Sequence, residues 1–299
     1  MASHSTAATT TTNDTTPPLT KRTPVYFVSH GGPTTMYDRQ HPVFPKLQSL
    51  GQEIMQKVRP KAIVVISAHW QSMVPGAVQV NGAEHEPLLY DFYGFPRHYY
   101  AEKFPHVGSR SLAERVVRVL GEGGVRAVLT ERGLDHGVFV PFKIMFDKEV
   151  ESELTVPVVQ VSLRPQEEEG DAESHLKMGR ALEKLRGEGV LVVVSGMAVH
   201  NLRDFRGGAG RGVGGFAYAE SFDMALKEAV ERQPGEERDR EMKALLQRRD
   251  ARQAHPTFEH LLPIHVGVGA AGSDQGRMLW TKVEGSMSWG QYRFGEVEA

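Results

Sequence analysis

The sequence contains no cysteine. That absence excludes disulfides, thiolate metal sites and cysteine nucleophiles together. Long hydrophobic runs are also missing: the longest, at 62–66 and 190–194, have the length of a strand and fall far short of the ~20 residues that span a bilayer. Neither sign of charge is in excess. Thirty-five basic and 37 acidic residues leave a formal net charge of −2 and a pI near 6.7, so no field draws the chain to nucleic acid or to an anionic membrane. No apolar segment follows Met1 as in a secretory signal, and no Arg-rich amphipathic presequence is present; a cytoplasmic protein is expected. Several familiar signatures are absent as well: HExxH, a strand-linked GxGxxG, GxxxxGK[ST] and GxSxG. The glycine-rich stretch 207–215 lacks a strand-to-helix context and reads as a flexible loop.

The chain has 299 residues, 40% of them hydrophobic and 24% charged, near the globular norm. Residues 1–22 are mostly Ser, Thr, Ala and Pro, a composition that buries too little apolar surface to offset ordering entropy. Residues 23–299 are ample for one sizeable domain. Short apolar runs (25–28, 62–66, 125–129, 156–163, 190–194) alternate with amphipathic stretches (44–57, 110–120, 176–185). This pattern predicts a single α/β domain: a central mixed, largely parallel sheet flanked by helices on both faces. The charged segment 219–253 reads as a helical, solvated face interrupted at Gln233-Pro234-Gly235, and 278–294 as one or two strands with a turn at Glu284-Gly285.

Histidine is abundant, with 13 copies. Three follow buried-looking strands: His30 in Ser29-His30-Gly31-Gly32-Pro33, His69 in Ser67-Ala68-His69-Trp70, and His200 after Ser195-Gly196. A lone histidine near a strand end is more often a hydrogen-bonded structural residue than a ligand. The same placement three times is different, because ligands of open α/β sheets bind at the carboxyl ends of the strands. His260 lies where Thr257 can cap a helix start. His136 follows Asp135, an acid that can orient it. The other eight, including His41, His175, His255 and His265, read as surface or structural. Neutral imidazoles without thiols favour zinc or iron(II).

In order along the chain, the blocks SHGGP (29–33), SAHW (67–70), YDFYGFP (90–96), LDHG (134–137), SGMAVHNLR (195–203) and HPTFEHLLP (255–263) resemble the class III extradiol ring-cleavage dioxygenases of the LigB superfamily, in the branch of DOPA 4,5-dioxygenase-like proteins. The resemblance spans about residues 24–294. It implies one divalent metal per chain, zinc in some branches and iron(II) in others, with His30, His69 and His260 as ligands. The wider class often uses two histidines and a glutamate, which leaves Glu259 as an alternative to His260. The resemblance also implies His200 as the active-site histidine and His136 as a second acid–base or substrate-orienting group. The expected reaction inserts both atoms of O2 into a catechol-type ring with extradiol opening. The expected partners are a small aromatic diol and O2, on a monomer or homodimer. Trp70, Tyr93 and Phe95 are candidate walls for a flat substrate. His200-Asn201-Leu202-Arg203 departs from the HPSD-type sequence of DOPA-specialised plant enzymes, so a catechol is implied without fixing DOPA. Two readings compete with this one: a zinc hydrolase that uses the same histidines with bound hydroxide as nucleophile, and a non-catalytic binding module on the same fold.

Overall fold

The structure is a computed structural model that describes residues 22–165, 171–206 and 214–298. The Ser/Thr-rich segment 1–21 and most of the glycine-rich stretch lie outside the described residues. Arg22, grouped with that segment on composition, belongs instead to the folded body: its guanidinium meets Glu183 and Asp274, each at 2.6 Å.

In chain order the elements are β1 (Val25–Ser29), α1 (Val43–Gln52), β2 (Ala62–Gln71), β3 (Val78–Asn81), α2 (Arg110–Glu122), β4 (Ala127–Thr130), α3 (His136–Met145), β5 (Val158–Leu163), α4 (Asp171–Gly187) and β6 (Val190–Gly196). There follow β7 (Val199–His200), α5 (Leu202–Arg206), α6 (Ala217–Val230), α7 (Glu236–Ala244), α8 (Ala251–Ala254), α9 (Leu262–Ala271), β8 (Gly276–Trp280), β9 (Val283–Glu284), β10 (Met287–Ser288) and β11 (Gln291–Phe294). An eight-stranded sheet has the order β4-β3-β5-β2-β6-β1-β11-β8. Its four central strands, β5, β2, β6 and β1, are parallel. The edges are not: β3 runs against β5, and β11 against both β1 and β8. The reversal at β3 follows from chain length, since the link 72–77 is too short for the crossover that a parallel return needs.

Alternate side chains of the central strands feed two cores. Val25 and Phe27 join residues of α2, α4, α6 and α9 on one face, while Tyr26 and Val28 join those of α1 and α3 on the other. The sheet is therefore covered on both sides, and the near-continuous apolar strands are explained. Two local expectations are corrected. The helix read over 44–57 stops at Gln52 and continues as a wider π turn, Glu53–Val58. The C-terminal region holds four short strands; one of them, β10, pairs with β7 on one side and β9 on the other, in a small sheet of order β7-β10-β9. Gly285, with φ 58°, makes the tight β9–β10 turn. No helix of the described residues is long and apolar enough to cross a membrane.

Three histidines serve this body rather than the site. His175, His255 and His265 are fully buried and bond the carbonyls of Asp171, Ala198 and Met242 at 2.6, 3.0 and 2.9 Å. Burial pushes His175 down to about 3 and His255 down to about 4. Between those values and the ordinary 6.5, the unfolded chain binds protons that the folded chain refuses. Stability is therefore complete above about pH 6.5 and falls on acidification, by roughly 1.4 kcal/mol per pH unit for each such histidine. The urea midpoint is expected to drop clearly from pH 7 to pH 4.5, and His255→Gln to make the drop shallower. A midpoint flat across that interval would refute the assignment.

Candidate active site

The parallel centre of the sheet gathers the site. His30 directly follows β1, and His69 lies on β2, which extends past the expected strand end. Between them runs β6, whose Ser195 is level with Val28 and Ser67. The short 3-10 turn Phe258–His260 docks on the end of β6, where Met197 N–H donates to the His260 carbonyl at 3.0 Å. Thr257 precedes that turn without capping it; its hydroxyl bonds Glu259 at 2.9 Å. The approach is close enough that a Cβ on Gly196 would stand 2.2 Å from the His260 carbonyl oxygen. Gly196→Ala is expected to displace the turn and to cost about 1–3 kcal/mol as overpacking. Urea denaturation checks this, and a variant as stable as the parent would show that the turn yields freely.

His30 Nε2 lies 3.1 Å from His69 Nε2, which lies 3.2 Å from His260 Nε2. The other nitrogen of each ring is committed. His69 Nδ1 faces Asp91 Oδ2 at 3.2 Å, and His260 Nδ1 faces Glu259 Oε1 at 3.0 Å. His30 Nδ1 is 3.0 Å from the hydroxyl of Ser195, which itself donates to the Gly137 carbonyl and so accepts from the ring. These partners assign the proton of all three rings to Nδ1. Three lone pairs then point at one another with no donor among them.

Two further histidines flank the trio. His136, the first residue of α3, packs on His69 with ring centroids 3.8 Å apart; His200 stacks on His260 at 3.6 Å and 15°. The neighbour Asp135 does not orient His136. Its oxygens are taken by Ser67, Arg132 and Gln160 at 2.6–2.8 Å, and Asp91 takes His136 Nδ1–H instead, at 2.8 Å. Asp91, Ser195 and Gly196 carry site geometry that the reading of the sequence left unassigned. The ring nitrogens of His200 have no hydrogen-bond partner among the described residues. Burial and the neighbouring imidazoles hold His30 and His260 well below the usual histidine range. Burial, then His69, also lowers His136, and chiefly burial pushes His200 down to about 3. All four are neutral at pH 7, the form that binds metal or accepts a proton. Burial pushes Asp91 up, but the hydrogen bonds from His136 and His69 outweigh it and keep the carboxyl well below its usual range.

All five histidines line one cleft of about 1260 Å3. Phe92, Tyr93 and Phe95 form part of its wall; Leu202, Phe205, Met287 and Trp289 also line it. His41, read as background, lines the cleft too, bonded to Glu284 at 2.9 Å beside the Trp289 ring. Trp70 does not line the cleft and is removed from the substrate-binding set. It alternates with His69 on β2, points the other way, and lies buried under the Arg132 guanidinium, 4.7 Å from the ring centre.

Comparison with known proteins agrees with this geometry. A family model for the catalytic LigB subunit of aromatic ring-opening dioxygenases matches residues 23–295. Over 274 residues the chain is 36% identical to the 4,5-DOPA dioxygenase extradiol of Beta vulgaris, covering 90% of this chain and 95% of that protein. Over 279 residues it is 33% identical to the 4,5-DOPA dioxygenase extradiol-like protein of Schizosaccharomyces pombe, covering 88% and 90%. The crystal structure of an uncharacterized protein from Escherichia coli K12 superposes with a TM-score of 0.70 at 29% identity, covering 92% of this chain and all (100%) of that one. The chain therefore belongs to the LigB family of aromatic ring-opening dioxygenases, in the branch whose members are named 4,5-DOPA extradiol dioxygenases.

Proposed function

We propose that this dioxygenase opens a catechol-type ring in extradiol fashion, inserting both atoms of O2, at a divalent ion that Nε2 of His30, His69 and His260 would hold; the site suits zinc or iron(II), and the oxygen chemistry requires the iron(II) form. The observation that carries this reading is the set of three converging lone pairs. Two imidazole nitrogens bound to one ion at roughly 2.0–2.1 Å stand about 2.8–3.4 Å apart at octahedral to tetrahedral angles. The 3.1 and 3.2 Å separations fit that geometry. Without a cation, His69 Nε2 would face an acceptor on either side at this range, an arrangement that repels.

When bound, the metal acidifies the two catechol hydroxyls and, as iron(II) but not as redox-inert zinc, supplies the electron-transfer chemistry. The protein's own groups do the rest. His200 on one flank and His136 on the other receive a phenolic proton and return one to the opened ring. Because its Nδ1 is committed to Asp91, His136 presents Nε2 to the cleft. Tyr93 and Phe95, with Phe92, offer faces against which a flat ring stacks, worth roughly 0.5–1.5 kcal/mol beyond burial. The cleft exceeds the roughly 300–1,000 Å3 of most ligand sites, which leaves room for a substituent on the ring.

Two measurements test the reading. Elemental analysis of protein purified without added metal separates iron from zinc. Oxygen uptake by anaerobically iron(II)-loaded protein, over a panel of catechols that includes DOPA, is expected to accompany a yellow ring-fission product with at least one of them. No uptake with any catechol would sink the proposal.

A further inference from the structure

His30 and His260 each have a partner of their own, Ser195 and Glu259. His69 and His136 do not. Their rings arrive from different elements, β2 and the start of α3, and pack 3.8 Å apart. Both meet the same carboxylate: Asp91 Oδ2 faces His69 Nδ1 at 3.2 Å, and Oδ1 faces His136 Nδ1 at 2.8 Å. Oδ1 also accepts the backbone N–H of His136 at 2.9 Å. A carboxylate has about four lone-pair sites, enough for three donors. The chain fixes Asp91 independently of those rings: Leu89 N–H donates to the Leu134 carbonyl at 2.9 Å, and the Tyr90 hydroxyl to the Glu102 carbonyl at 2.6 Å. Asp135, although adjacent to His136, is fully engaged below the site.

We infer that Asp91 is a shared positioning residue, a single carboxylate that sets the orientation of metal ligand His69 and of proton-handling His136 together. The names of those two roles rest on the function proposed above; the carboxylate that both Nδ1 atoms face does not. An amide at this position has one acceptor oxygen and one donor group, so it serves one ring and turns an N–H toward the Nδ1–H of the other. Loss of the carboxylate therefore reaches metal binding and proton transfer at once, two properties that would otherwise vary separately.

The test uses Asp91→Asn, His136→Gln and the double variant, with cobalt(II) alone as metal probe and catechol turnover at saturating metal as the second readout. Asp91→Asn is expected to weaken cobalt binding about 10–100-fold, the usual cost of losing a ligand's orienting partner. His136→Gln is expected to bind cobalt as the parent does while kcat falls about 10²–10⁴-fold. Combining the two should lower kcat no further than His136→Gln alone, because they disable one unit. Parental cobalt affinity in Asp91→Asn, or a double variant whose kcat loss is the product of the two single losses, would overturn the inference. Where Asp91→Asn does not fold, Asp91→Glu keeps the charge but, one methylene longer, cannot seat both rings; parental affinity and parental kcat together would overturn it equally. If no catechol is turned over, the proposed function fails, and the contrast in cobalt affinity between Asp91→Asn and His136→Gln still decides the role of Asp91.

Discussion

His260→Ala is expected to leave the protein unable to retain metal and to lower ring opening by more than ~100-fold, beyond the range for losing an outer partner. Glu259→Gln is expected to weaken metal binding only within that range, about 10–100-fold. The contrast follows from which atoms face the cleft centre. His260 presents a lone pair 3.2 Å from His69 Nε2. The carboxylate of Glu259 is turned toward the far side of the same ring, where Oε1 accepts from His260 Nδ1 at 3.0 Å and from the Thr257 hydroxyl at 2.9 Å. It acts through the ring, fixing its tautomer and making Nε2 a better donor. Metal content by elemental analysis, with oxygen uptake alongside, checks both variants. The reverse result, metal lost in Glu259→Gln and kept in His260→Ala, would make the glutamate the ligand. His41→Ala provides the control: it lines the same cleft but stands outside the trio, and metal content should be unchanged.

What the sequence made legible follows from strand physics. Continuous β-branched runs announced buried parallel strands, and the residues after them were bound to meet at one rim once β2, β6 and β1 lay side by side. His30, His69 and His200 were readable for that reason. The errors have equally local causes. The apolar run ends at Ile66, which leaves Trp70 beside His69 in an apparent loop. Carried on to Gln71, the same alternation sends the two side chains to opposite faces. Asp135 is suggested as the orienting acid by adjacency in sequence alone, yet its side chain is drawn below the site by Ser67, Arg132 and Gln160. Asp91 sits in a segment without regular structure, placed by hydrogen bonds to residues distant in sequence. No periodicity marks such a residue. The small sheet that carries His200 was hidden similarly, since strands of two residues leave almost no pattern.

The second large effect concerns His200, and the substitution that isolates it is His200→Phe. Phenylalanine keeps a flat ring to stack on His260, where the imidazole now lies at 3.6 Å and 15°, and removes both nitrogens. If His200 handles protons, kcat should fall about 10²–10⁴-fold while the metal stays bound and KM changes little, the pattern of a contact made in the transition state rather than in ground-state binding. If it is a ligand, metal content falls with activity. The geometry favours the first outcome. The stack places the His200 ring face to face with His260, so it lies alongside the trio and does not add a fourth edge-on lone pair. Its nitrogens are without hydrogen-bond partners among the described residues, and burial holds the ring neutral at pH 7, so a lone pair is free on the cleft side. His136 differs in being tied to Asp91, which fixes the direction of its Nε2; His200 has no such hydrogen-bond tether among the described residues. That difference predicts which variant external imidazole rescues. His200→Ala leaves a ring-sized space that opens on the cleft, and added imidazole should restore part of its turnover. In His136→Ala the anchoring carboxylate also holds His69, and the rescuing base must compete for it, so recovery should be smaller. Equal rescue of the two variants would show that the tether at His136 has no bearing on proton transfer.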